Sequence, residues 1–259
     1  LDAHVPAAPT HYVLRTEVPR AALPEGRLEL VVPHFEGLAE LYVDGVHADA
    51  AQREAVDDYR HAGPHLWVLP PATPGSAPLR LELRVDHRWT QSGWLGTVPR
   101  IEPAGRLGGH VLAIVAFNDF GAVASVSALV LMAVMSLWMY LADRSRRSYL
   151  WFALQLFAAA YYPLHVSGYS QLLVGPYDTL LLVLTLDLAL VAAVTFTHVE
   201  FREHLGPRVR TWPWLMAAGA VAALGIASSD PFQLTLVGSR AVVVFLAVVS
   251  TYQVILGIR

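Results

Sequence analysis

The sequence predicts a multidomain membrane protein, with an amino-terminal all-β sandwich of jelly-roll type followed by an all-α transmembrane helical bundle. Two observations predict it. Short segments that alternate apolar and polar residues fill the chain up to residue 107, and five long apolar segments follow from Phe120 onward. The chain of 259 residues is 55% hydrophobic and 15% charged, and its apolar excess lies after residue 110, so one average conceals two solvents. The resulting domains are a sandwich over 1–107, a linker over 108–119 and a helical domain over 120–259.

In the first domain, Leu79-Arg80-Leu81-Glu82-Leu83-Arg84-Val85 alternates strictly, which places one face of a strand in a core and the other in water. Tyr12–Glu17, Arg27–Val32, Leu38–Val43 and Leu66–Leu69 repeat the pattern less regularly, separated by Pro and Gly clusters such as Pro70–Pro74. Asp44-Gly45 after Leu41-Tyr42-Val43 marks a tight hairpin, because such a turn needs positive φ at both central residues. Five or more short strands without a helical period between them predict an antiparallel sandwich.

In the second domain, spans are expected at about 120–141, 149–166, 179–197, 212–227 and 241–258, each near the length needed to cross the hydrocarbon. Arg144, Arg146 and Arg147 lie between the first two, and Arg202, Arg208 and Arg210 between the third and fourth. Gly168–Asp178 has no basic residue, so the amino-terminal domain is expected outside the membrane and those arginines in the cytoplasm.

Composition excludes several classes of chemistry. With no Cys there are no disulfides, thiol nucleophiles or Cys-based zinc sites. A formal charge of −3 without a basic tract argues against nucleic acid as a partner. All 18 basic residues are Arg, which is attributed to a GC-rich coding sequence. His61 and His65 have a metal-like spacing, but Gly63-Pro64 forbids the helix that would align them, and no metal or other cofactor is expected. Serine-type and aspartyl chemistry within the spans is not expected either, since Ser167 beside His165 makes no triad and Asp187 has no second acid in a neighbouring span.

Candidate ligand-binding residues are Asp86, His87, Arg88, Trp89 and Trp94, placed just after the last strand, where aromatic and polar groups of the kind that hold sugars and carboxylates gather. Packing of the two Trp residues against the sandwich or the membrane surface is the competing reading. Within the membrane, Asp187 falls near the midplane of the third span, where an acid must face the bundle interior. Tyr161, Tyr162, Gln155 and His165 of the second span are its expected partners, and its role is either a polar switch or a packing group.

Two features carry a resemblance. The Leu41–Gly45 hairpin and the Leu79–Val85 strand, followed by Arg88, Gly93 and Leu95-Gly96, resemble the galactose-binding-like jelly rolls of bacterial sensors. Phe120-Gly121 opening the first span, the turn Asp143–Leu150, Gly168, and Phe201-Arg202 are similar to the bacterial seven-transmembrane receptors with diverse intracellular signalling modules. That resemblance implies an inner-membrane receptor with a periplasmic sensor domain, seven spans in the full protein, and a cytoplasmic output module in cis. A diguanylate cyclase or histidine kinase is the expected module. The partners it implies are the lipid bilayer, a small-molecule or protein ligand outside, and a second copy in a homodimer. Leu1 in place of Met, and a chain ending beside the fifth span, fit removal of a signal peptide and truncation after Arg259. The alternative reading is a transporter or channel subunit with an exported accessory domain, against which stands the absence of paired Gly/Pro-broken spans around a midplane site.

Overall fold

A computed structural model describes residues 10–35, 37–49, 64–70, 77–87, 97–106, 108–201, 214, 217–219, 222 and 237–258. The chain divides into two units, 1–121 and 122–259.

Among its described residues the first unit holds seven strands in two antiparallel sheets. They are β1 (Thr10–Val18), β2 (Leu28–Val32), β3 (Leu38–Val43), β4 (Val46–His47), β5 (His65–Val68), β6 (Leu79–His87) and β7 (Arg100–Pro103). One sheet has the order β1-β6-β3-β4 and the other β5-β2-β7. All five strands expected from the sequence are present. The Asp-Gly turn closes β3 on β4 with positive φ at both residues (51° and 84°), pairing Val43 with Val46 and Tyr42 with His47.

β6 explains the four-stranded sheet. Its odd residues Leu79, Leu81, Leu83 and Val85 are buried, and they pack with Leu30, Val32, Phe35, Leu41, Val43 and Trp67 into a single core. Each fully buried Leu or Val contributes roughly 2 kcal/mol of transfer free energy. The even residues form a charged lattice on the outer face, with Arg15 on Glu82 at 2.9 Å, Arg84 on Glu82 at 2.8 Å and Arg80 on Glu17 at 2.9 Å. The guanidinium of Arg84, and then that of Arg15, hold the Glu82 carboxyl below the usual carboxylate range.

Among the described residues six α-helices follow: α1 (Gly109–Ala142), α2 (Arg147–Ala159), α3 (Tyr161–Val166), α4 (Tyr169–Val174), α5 (Asp178–Glu200) and α6 (Ser239–Ile258). Two of them, α1 and α5, are long and apolar enough to cross a membrane, and α6 has a shorter apolar stretch. From Gly109 on, the segment read as a linker belongs to α1. At 34 residues α1 is about 51 Å long, more than a hydrocarbon core of about 30 Å requires.

The second expected span, 149–166, is not one helix but α2 and α3, which meet at Ala160. Pro163 supplies the reason. It has no N–H for the carbonyl of Ala159, and its ring crowds that carbonyl. Of the fourth expected span, 212–227, only Trp214, residues 217–219 and Ala222 lie within the described residues.

α5 is central to the second unit. Phe152 of α2 meets Phe196 at a ring separation of 5.4 Å, and Tyr161 of α3 meets Asp178, so the α2–α3 segment runs antiparallel to α5. On another side, Val183 packs with Val242, and Val191 and Val194 pack with Phe245 and Val249. His198 bonds Tyr252 further along, so α6 runs parallel to α5.

Candidate functional site

A cavity of about 650 Å³ opens at one end of the sandwich. The first residues of β1 and β3, the last of β6 and the first of β5 converge there. The ladders set which side chains face it, because Tyr12, Val85 and Ala39 stand in one row on the core face, and His11, Asp86 and Leu38 in the next row on the outer face. His65 and Trp67 supply the wall from the other sheet.

His65 is buried, and its Nε2 lies 2.8 Å from the carbonyl oxygen of Phe35. Its ring stacks on Trp67 at 5.5 Å. His65 is thus a satisfied core histidine, and its expected companion His61 lies outside the described residues. Burial pushes the Tyr12 phenol up, which keeps it a neutral hydroxyl able to donate and accept. Together the lining offers aromatic surface, a carboxylate at Asp86 and a second at Glu40. That is a surface suited to a small polar solute with an apolar face.

The sequence placed Asp86 and His87 just beyond the last strand, but both lie within β6, which continues to His87. Asp86 therefore faces His11 across the ladder, with Oδ1 3.4 Å from Nδ1 of His11, and it lines the cavity. Arg88, Trp89 and Trp94 lie outside the described residues.

The helical unit carries its polar groups in two places. At the start of α5, Asp178 is fully buried. Its Oδ1 accepts from the Tyr161 hydroxyl at 3.0 Å, and its Oδ2 lies 2.9 Å from Nδ1 of His165. Tyr161 and His165 are four residues apart and so share one face of α3, which lets both reach one carboxylate. Gly168, at a φ of 82°, ends this segment and turns the chain into α4.

Asp187 is buried as well, only 3% exposed, and among the described residues neither of its carboxylate oxygens has a hydrogen-bond partner. Its burial agrees with the expectation that it faces inward. The expected partners do not. Asp187 lies nine residues after Asp178, about two and a half helical turns, and so points to the opposite side of α5. Tyr161 and His165 are engaged by Asp178 on one side, while Asp187 shares its stripe with Val183, Val191, Val194 and His198, the residues that meet α6. Tyr162 is 53% exposed and points away from the core. Gln155 is half-buried on α2, the helix that packs on the other face of α5. Ser167 donates to the carbonyl of Leu164, a local bond with no catalytic geometry.

Sequence reasoning did not single out Asp178 or the pair His198–Tyr252, whose Nε2 and hydroxyl oxygen are 2.7 Å apart. A signal for the first existed, since Tyr161 and His165 at a four-residue spacing, with an acid opening the next span, describe one polar cluster. The second links residues 54 positions apart and needs the helix pairing to be known. Among the described residues no group of three or more His, Cys, Asp or Glu side chains could hold a metal ion. Comparison with family models, with characterised proteins and with solved structures yields no match.

Proposed function

We propose that this protein is a bacterial transmembrane sensory receptor of the seven-transmembrane type that the sequence resembles, with its jelly-roll sandwich in the periplasm. The sandwich takes a small polar molecule at the cavity bounded by Tyr12, Trp67, Val85 and Asp86. The helices carry the change through the inner membrane to a cytoplasmic output module, with a diguanylate cyclase or histidine kinase as the favoured forms. The observation that carries this reading is the coexistence in one chain of a cavity-bearing antiparallel sandwich and helices that are long and apolar enough to span a bilayer.

Three further observations support it. The break at Ala160 and the parallel course of α5 and α6 fit a bundle of more than two spans, because a parallel pair requires the chain to return between its members. The arginines of the α1–α2 turn are exposed, as the cytoplasmic side of a span favours. Asp187, on the α6 face, has no hydrogen-bond partner among the described residues, which fits a contact able to rearrange, and a receptor needs two arrangements that a ligand can bind unequally.

The test uses the whole chain in lipid nanodiscs, with thermal unfolding measured against a panel of monosaccharides and small carboxylates. Ala39→Trp fills the cavity from its core-facing row. A solute that raises the unfolding temperature of the parent and leaves the variant unmoved is the expected result. A panel that treats parent and variant alike would remove the cavity from the mechanism.

A further inference from the structure

β1 forms one edge of the four-stranded sheet. It is nine residues long, pairs with β6 along its whole length, and contains no Pro. Among the described residues no strand pairs with its other edge. Val13 and Leu14 at its centre are exposed, at 45% and 38%. A long edge of this kind is a template for another strand, and most proteins blunt it with Pro, a bulge or a short length. We propose that the partner is β1 of a second copy of this chain, added antiparallel across a two-fold axis at Leu14 to make one continuous eight-stranded sheet.

The side chains select that register. Odd residues of β1 lie on the outer face and even residues on the core face, so an antiparallel pair that keeps the faces aligned shifts only in steps of two. With Leu14 opposite Leu14, His11 of one copy faces Glu17 of the other, and Val13 faces Arg15. Moving one step one way sets Arg15 against Arg15, and a step either way leaves two residues of each nine-residue strand unpaired. Like charges directly opposite oppose pairing, so the Leu14 register is the favoured one.

This register also continues the lattice already on the sheet. Glu17 is bound by Arg80 on its own β6, and His11 by Asp86 on its own. Across the two copies, the row Arg80, Glu17, His11, Asp86 then sets the His11 imidazole between two carboxylates. On the core face the row reads Leu83, Leu14, Leu14, Leu83, which covers the exposed leucine. The surface is isologous, the form expected of a two-fold dimer, and closes on itself without leaving a free copy of the edge. The pairing rests on the sheet alone and stands or falls independently of the ligand and output assignments.

The chain has no cysteine, so a single introduced thiol reports on itself. Leu14→Cys in the full chain places two thiol-bearing residues about 4.5–5.5 Å apart across the axis, within reach of a disulfide. Val18→Cys places them roughly 27 Å apart, at about 3.4 Å per residue. Mild oxidation in membranes, followed by non-reducing electrophoresis, is expected to convert most Leu14→Cys protein to dimer and to leave Val18→Cys as monomer. A second arrangement avoids any effect of substituting the leucine, since co-expressed, differently tagged His11→Cys and Glu17→Cys chains should cross-link with each other and neither with itself. Monomer in both arrangements, or equal dimer from Val18→Cys, would overturn the proposal.

Discussion

Where α5 meets α2 and α3, the contact holds the Phe152–Phe196 ring pair and one buried acid with a partner on each oxygen; on the face that meets α6, the buried acid has no hydrogen-bond partner among the described residues. The two carboxylates are nine residues apart on the same helix and equally hidden from water. What separates them is the facing element. α3 presents a hydroxyl and an imidazole to Asp178, whereas α6 presents valines and Phe245 to Val183, Val191 and Val194 on the stripe of α5 that carries Asp187, and its sequence from Ala241 to Thr251 holds no ionisable residue. A satisfied buried network rigidifies its surroundings, while an orphaned group weakens the packing around it. The α3 side of α5 is thus built as a clamp and the α6 side as a contact that can shift.

Removing the carboxylate should act in opposite directions on the two sides. Asp178→Ala removes the carboxylate that Tyr161 and His165 share and is expected to destabilise the helical unit by about 3 kcal/mol, the cost of buried polar groups losing their hydrogen-bond partner. Asp187→Leu removes a buried group that has no hydrogen bond to lose among the described residues, and is expected to stabilise the unit by about 1–2 kcal/mol. Denaturant unfolding in mild detergent measures both. Equal destabilisation by the two would erase the distinction between clamp and shifting contact.

Tyr252→Phe probes the inner part of the α6 contact, where the hydroxyl and His198 are 2.7 Å apart and Gln253 donates to Thr197. Interhelical hydrogen bonds of this kind average about 0.6 kcal/mol, so the same unfolding assay should show a loss near that size. A loss as large as that of Asp178→Ala would mean that the α6 side is also a clamp.

The smallest effect is expected in the sandwich. Glu82 is held below its ordinary range by Arg84 and Arg15, so its contribution is present above the unfolded-state value of about 4.3 and fades as pH falls through the lower folded value. These groups are exposed, and screening keeps the contribution small. Glu82→Gln should flatten the acid limb of the stability profile without changing stability near pH 7 beyond experimental scatter. A steeper acid limb in the variant would reverse the sign of the argument.

How far these contrasts were legible depends on periodicity. β6 was readable because its residues alternate at the period of a strand and one face is buried, and the Asp-Gly turn because only such residues accept positive φ twice in succession. β7 was missed because Arg100-Ile101-Glu102-Pro103 is too short to show a period, and Ile101 finds the core only through its pairing with Leu30. The depth of Asp187 could be counted along the span, but not its direction. α5 is apolar on every side, so nothing in its sequence marks which face meets α2 and which meets α6. The expected partnership with Tyr161 and His165 failed for that reason. Pro163 lies close to the end of the expected span, yet its consequence falls several residues earlier, at Ala160, because a proline disturbs the preceding turn.

The receptor account stands on the sandwich and the α1–α2 turn lying on opposite sides of a membrane. Single cysteines at Ala22, in the exposed turn after β1, and at Arg144, in the exposed turn after α1, are otherwise the only thiols in the chain. Intact spheroplasts treated with a membrane-impermeant maleimide are predicted to label Ala22→Cys at once and Arg144→Cys only after permeabilisation. Labelling of both in intact spheroplasts would contradict the account, since the sandwich and the turn would then share one compartment and no signal would cross between them.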